Sequence, residues 1–232
     1  LTAPEDVLNT KILNDVANLG GLGKFSAVDL RKRLAGKNVS INPNIGTNVE
    51  KIGGSASPKD LETFMQLLYL TFTDIRKDDE AYNSFITRTK AQLQNMEAKP
   101  MMALQDTLTS TLFSNNPYTN RLTLQDVDKL DYAKALSIVK ERFSNAADFT
   151  FVFVGNIDPA SAKPLVETYI GSLPANKSKK EDWKNLKNVP AKGNIVKHFE
   201  KEMQTPKSSV YKIYSGKTAF NVENTIMADI TK

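Results

Sequence analysis

His198 is the sole imidazole in 232 residues, and the chain has no cysteine. Zinc sites built from two or three imidazoles, or from thiolates, are therefore out of reach for this chain alone. A Ser-His-Asp triad would have to run through His198, yet no Gly-x-Ser-x-Gly elbow accompanies it. His198 reads as a surface or strand-edge residue. The run Gly20-Gly21-Leu22-Gly23-Lys24 raises the question of a phosphate cradle. A P-loop needs Gly-x-x-x-x-Gly-Lys-Ser/Thr between a strand and a helix, so that backbone amides face the phosphates. Here the glycines follow a helical pattern and Lys24 precedes Phe25, which reads as a turn between helices. Asp78-Asp79 and Glu181-Asp182 fall at a helix start and in a charged stretch, where they serve the helix dipole or solvation. The residues thus assign no catalytic, cofactor-binding or metal-ligating position.

The elements that would position any site alternate irregularly between helix and strand. Leu8, Ile12, Val16 and Leu19 share one face and predict a single helix over about 4–19. Ser26 with Asp29 predicts the capped start of a second helix, ending at Gly36. Val39, Ile41 and Ile45 alternate with polar residues, and a second extended run covers about 47–55, so a hairpin turning at Gly46 is expected. Ser57-Pro58 opens a long helix carrying Leu61, Phe64, Met65, Leu68 and Phe72. Further helices carry Tyr82 to Met96, Leu104 to Leu112, and Leu124 to Phe143, with a turn at Asn115-Asn116-Pro117. Phe149–Val154 reads as a buried strand, and Asp158-Pro159 starts another helix. A last strand is expected over 209–214, before a helix near the C-terminus. Several helices with a few antiparallel strands predict an α+β layer fold, an antiparallel or mixed sheet packed on one face by helices.

Charge and hydropathy narrow the remaining classes. No apolar run approaches the roughly 20 residues of a membrane-spanning helix. The net charge is +5 and the pI about 9.2, with Lys177, Lys179, Lys180, Lys184, Lys187 and Lys192 concentrating the excess. That stretch reads as a solvated linker over 176–196, without an aromatic platform for bases. The alternative is a basic module for nucleic acid or an acidic surface, whose affinity would fall steeply with salt.

Several segments resemble the pitrilysin/insulinase family of zinc peptidases. They are Gly20–Ser26 (GGLGKFS), Asp29–Lys37 (DLRKRLAGK), Ser57–Thr63 (SPKDLET), Leu67–Thr73 (LLYLTFT) and Phe151–Pro159 (FVFVGNIDP). In such enzymes the first long helix of the catalytic half carries His-x-x-Glu-His, and a later helix gives a further glutamate. Two homologous halves close around an unfolded peptide. Laid on that helix, this chain places Lys11, Asn14 and Asp15 at the three motif positions. A lysine repels a cation and asparagine is no general base. The later helix has no acid between Glu80 and Glu97. The resemblance implies a fold like the mitochondrial-processing-peptidase-type metallopeptidase domain, and an inactive half whose parent is a zinc metalloendopeptidase.

On this reading residues 1–175 form an incomplete inactive peptidase domain, and 197–232 the first strand and helix of the next. The chain reads as an excised piece, and a substrate-contacting Arg/Tyr pair of the family would lie beyond Lys232. The family's strands before the first helix are missing from it, which leaves a short sheet with an edge for another strand. No cofactor is expected in this piece, with zinc in the parent's catalytic half. The implied partners are that half and a peptide or unfolded polypeptide, not nucleic acid or membrane. The implied location is periplasmic or otherwise exported.

Overall fold

The computed structural model describes residues 6–176, 188–203, 205 and 207–230. Several of its helix starts are set by short polar side chains that accept the first free amides. Ser26 accepts from Asp29 N at 3.1 Å and opens α3 (Ala27–Arg33). Asp78 accepts from Ala81 N at 3.0 Å for α5 (Asp79–Glu97), and Asp131 from Lys134 N at 3.0 Å for α8 (Tyr132–Arg142). Asp158 caps α9 (Pro159–Leu165), while Pro100 occupies the first turn of α6 (Pro100–Leu112), where a missing N–H costs nothing.

The first helix is broken where one continuous helix is expected. α1 spans Val7–Thr10 and α2 Leu13–Leu19. Between them the amides of Lys11 and Ile12 donate to carbonyls three residues back, Leu8 O and Asn9 O. The tightened turn drives Ile12 into the core, where it is almost fully buried. The expected 124–143 helix is likewise split into α7 (Leu124–Val127) and α8, because Asp131 caps a fresh start.

The hairpin forms as expected. β1 (Val39–Ile45) pairs antiparallel with β2 (Glu50–Ala56), in register from Val39 opposite Ala56 to Ile45 opposite Glu50. Gly46 N closes the turn on Val49 O at 2.9 Å. α4 (Leu61–Thr73) packs against both strands, α2 lies along β1, and α8 lies against α2. Val16, Met65, Phe72, Val139 and Phe143 make the centre of the core. Each such side chain contributes about 1.5–3 kcal/mol through the apolar surface it removes from water. The fold is α+β, helix-rich, with a small antiparallel sheet covered by helices.

Two expected strands do not pair. Phe149–Val154 has no ladder partner among the described residues, because β2 lies across a groove from it. Its odd residues turn toward α4, while Val152 and Val154 are 75% and 92% exposed. Residues 209–214 also have no ladder partner among the described residues, and Val210 and Tyr214 are open to solvent. The helix after them forms as α10 (Val222–Ile230). Of the lysine-rich stretch, 177–187 lie outside the described residues.

Candidate functional site

Lys11, Asn14 and Asp15 come from two helical segments, not one. Lys11 sits in the turn between α1 and α2, and the other two lie on α2. The Lys11 ammonium donates to three backbone carbonyls, Pro117 O at 2.8 Å, Tyr118 O at 3.2 Å and Asn120 O at 2.5 Å. Partial burial lowers its pKa from the ordinary lysine value, against the pull of Asp126. Asn14 clamps one residue of β1, accepting from Ile45 N at 2.7 Å and donating to Ile45 O at 3.3 Å. Asn18, one turn on, donates to Pro43 O at 3.2 Å. Asp15 is exposed, and desolvation from its surroundings raises its carboxyl above the usual range.

α5 packs beside α2, as a helix bearing a third ligand would. Glu97, at its far end, accepts from Leu124 N at 2.8 Å and from Arg121 at 3.3 Å. That carboxylate is committed to the start of α7. Among the described residues no group of three or more His, Asp or Glu side chains could hold a metal ion.

The second feature is a groove of about 1280 Å³ between β2 and residues 149–157. The outer edge of β1 is covered, since Asn14 and Asn18 bond its backbone at Pro43 and Ile45. The outer edge of β2 has no strand beside it among the described residues. The opposite bank is held by rings: Phe149 and Phe151 lie 5.0 and 5.8 Å from Phe72, and Phe153 lies 6.4 Å from Phe64. One end is bridged by Arg142 and Glu50 at 3.8 Å. Such an open strand edge is a surface onto which extended polypeptide can add.

The remaining sequence candidates fall elsewhere. His198 is exposed and apart from both features. Gly21 and Gly23 adopt φ of +87° and +57°, and three of the turn's amides are spent internally. Leu22 N donates to Phe25 O, Phe25 N to Leu22 O and Gly23 N to Asp74 O, so these three do not serve a phosphate cradle.

Residues 129–230 match the model of the Peptidase M16 inactive domain. Over 220 residues, 94% of the chain, it is 22% identical to the probable zinc protease PqqL of Escherichia coli K12. The match to the inactive domain thus covers the C-terminal part of the chain, and the similarity to PqqL nearly all of it. An Arabidopsis thaliana protein, zinc protease PQQL-like, is 28% identical over 116 residues, half of the chain. The chain spans only 23% of the bacterial relative's length and 12% of the plant one's.

Solved M16-type structures share the fold. The E. coli periplasmic protease PqqL superposes with a TM-score of 0.64 at 21% identity, over 74% of this chain and 19% of that one. The ferredoxin protease FusC, solved with Arabidopsis ferredoxin, gives 0.62 at 14% identity, over 82% and 23%. These agree with the resemblance to pitrilysin/insulinase peptidases read from the sequence. What the sequence left unread is the work Lys11 and Asn14 do. Asn115-Asn116-Pro117 marks a turn, but nothing in it names Lys11 as the partner.

Proposed function

We propose that this chain is a non-catalytic wall of a peptide-enclosing chamber in an M16 zinc protease, helping to hold substrate while zinc sits on the other half. The observation that carries this reading is the conversion of the motif helix into structure. Lys11 and Asn14, which the resemblance lays on the positions of a zinc ligand and the water-activating glutamate, are both consumed by backbone groups. A positive charge at position 11 also opposes a metal there.

The groove supplies a plausible grip. Main-chain hydrogen bonds along an open strand edge hold an extended chain whatever its sequence, as handling varied unfolded polypeptides requires. Two relatives support the setting. FusC was solved with a protein bound, and PqqL is described as periplasmic. We accordingly place the parent protein outside the cytoplasm, with the catalytic half and a peptide or unfolded polypeptide as partners. No helix among the described residues is long and apolar enough to cross a membrane.

The test is complementation. The purified chain is added to the separately produced half that bears His-x-x-Glu-His, and cleavage of a long unstructured peptide is followed. The chain alone is expected to cleave nothing, and the mixture to cleave faster than the catalytic half alone. Chelator-sensitive cleavage by the isolated chain would overturn the reading.

A further inference from the structure

The three carbonyls around Lys11 form a cation site, and the loop that supplies them has a second visitor. Pro117, Tyr118 and Asn120 lie between α6 and α7, just after Ser114 and Asn115, which both adopt positive φ (53° and 56°). Non-glycine residues enter that region at a cost, so something must hold the loop there. An ammonium has three N–H donors, and all three of Lys11 are matched by the loop's oxygens. Among the described residues no carboxylate pairs with Lys11 directly. Its positive charge is met by carbonyl dipoles, with Asp126 acting on it at longer range.

The same loop also receives residues 188–191, which lie within the lysine-rich stretch. Ala191 N donates to Leu112 O at 2.6 Å, and Asn116 Nδ2 donates to Asn188 Oδ1 at 2.8 Å. Both bonds fall just before the carbonyls that Lys11 grips. Arg121 anchors the loop's far side, donating to both oxygens of Asp106 at 2.7 and 2.6 Å. One end of the loop is therefore fixed by an ion pair and its middle by Lys11, and residues 188–191 rest on its near end.

We infer that Lys11 is a positioning residue: its ammonium fills a three-carbonyl cation site, and by holding that loop it sets where the following segment of the chain leaves residues 6–176. The helix break at Lys11–Ile12 turns the side chain toward the loop. The cation that organises this loop is thus covalently attached. The inference stands on these contacts and does not depend on Lys11 aligning with a zinc-ligand position.

Lys11→Ala in the 232-residue chain removes the ammonium and leaves space for a small cation. The readouts are amide exchange at Thr119 and Asn120, bonded within the loop, and at Ala191, bonded across it. Exchange at all three is expected to rise by about tenfold or more as local opening becomes easier. Ammonium chloride should restore protection at all three, whereas tetramethylammonium chloride at equal ionic strength should not. Lys11→Met, which keeps the stem but leaves no room, should loosen the same amides and resist rescue. Lys24→Ala, at an exposed lysine, is the control. Loosening of Thr119 and Asn120 with Ala191 unchanged would overturn the positioning role. Equal rescue by both salts, or by neither, would overturn the cation site.

Discussion

Phe72 on α4 meets Phe149 edge-on, with ring centroids 5.0 Å apart and planes at 82°. Phe143 and Phe151 contact the same ring at 6.2 and 5.8 Å. The 149–154 stretch makes no ladder hydrogen bonds, so this aromatic cluster is what holds it against the helix. Phe72→Ala should cost about 3–5 kcal/mol through lost burial and the cavity left behind. Urea unfolding measures that loss, and chymotrypsin should then cut first near Phe149–Phe153. An unchanged cleavage pattern would mean the stretch is held by something else.

Gly53 and Gly54 are adjacent in β2, and only one of them is constrained by packing. A Cβ on Gly54 would strike the Phe64 ring and the Ser40 carbonyl, whereas one on Gly53 would meet nothing within 4 Å. Gly54→Ala should therefore destabilise the chain by about 1–3 kcal/mol, as overpacking does. Gly53→Ala should be neutral or slightly stabilising, because alanine has less backbone freedom to lose on folding. Comparing the two thermal midpoints checks this. Equal midpoints would show that the hairpin can slide away from α4.

What could be read from the sequence follows from how local each cause is. Ser26, Asp158 and the Gly46 turn act within a few residues of themselves, and each is found where its local chemistry places it. The seat of Lys11 is different, because its contacts lie more than a hundred residues downstream, at Pro117 to Asn120. Phe149–Val154 has a strand's composition, but a ladder needs a neighbour, and β2 stands across a groove. At the candidate site, the lack of histidine partners was legible by counting. The clamp of Asn14 on Ile45 was not, since nothing in an Asn names its partner.

Asp60 gives the chain an acid-sensitive joint. It is nearly inaccessible to solvent and accepts from Ser57 Oγ at 2.6 Å and Asn38 N at 2.9 Å, with Lys37 at 3.9 Å. The Ser57 hydroxyl first, then the Asn38 amide, hold its carboxyl below the usual range. A folded-state pKa below the unfolded value of about 3.9 gives stability that is fully present above that value. It is lost as pH falls through the folded pKa. Asp60→Asn should be less stable than the unsubstituted chain at pH 7, and the gap should close as the pH drops below about 4. Thermal midpoints from pH 7 to 2.5 test this. A gap that stays constant would assign the loss to packing instead of charge.

Rebuilding the zinc motif should fail. The triple substitution Lys11→His, Asn14→Glu and Asp15→His restores the residue types of His-x-x-Glu-His but not their platform. Position 11 lies in the turn before α2, so the two histidines would not project from adjacent turns of one helix. α5 has no acid between Glu80 and Glu97 to complete the site, and Glu97 already caps α7. Asn14→Glu also removes the amide that donates to Ile45 O and sets a carboxylate against that carbonyl. Losing this clamp alone should cost about 1 kcal/mol or more, because it strands the part-buried backbone groups of Ile45. The expected outcome is a less stable protein that retains no zinc after equimolar loading and desalting, read by elemental analysis and urea unfolding. One zinc held per chain would mean that α1 and α2 can fuse into a continuous helix. The break at Lys11 would then be a consequence of the lysine and not of the surrounding fold.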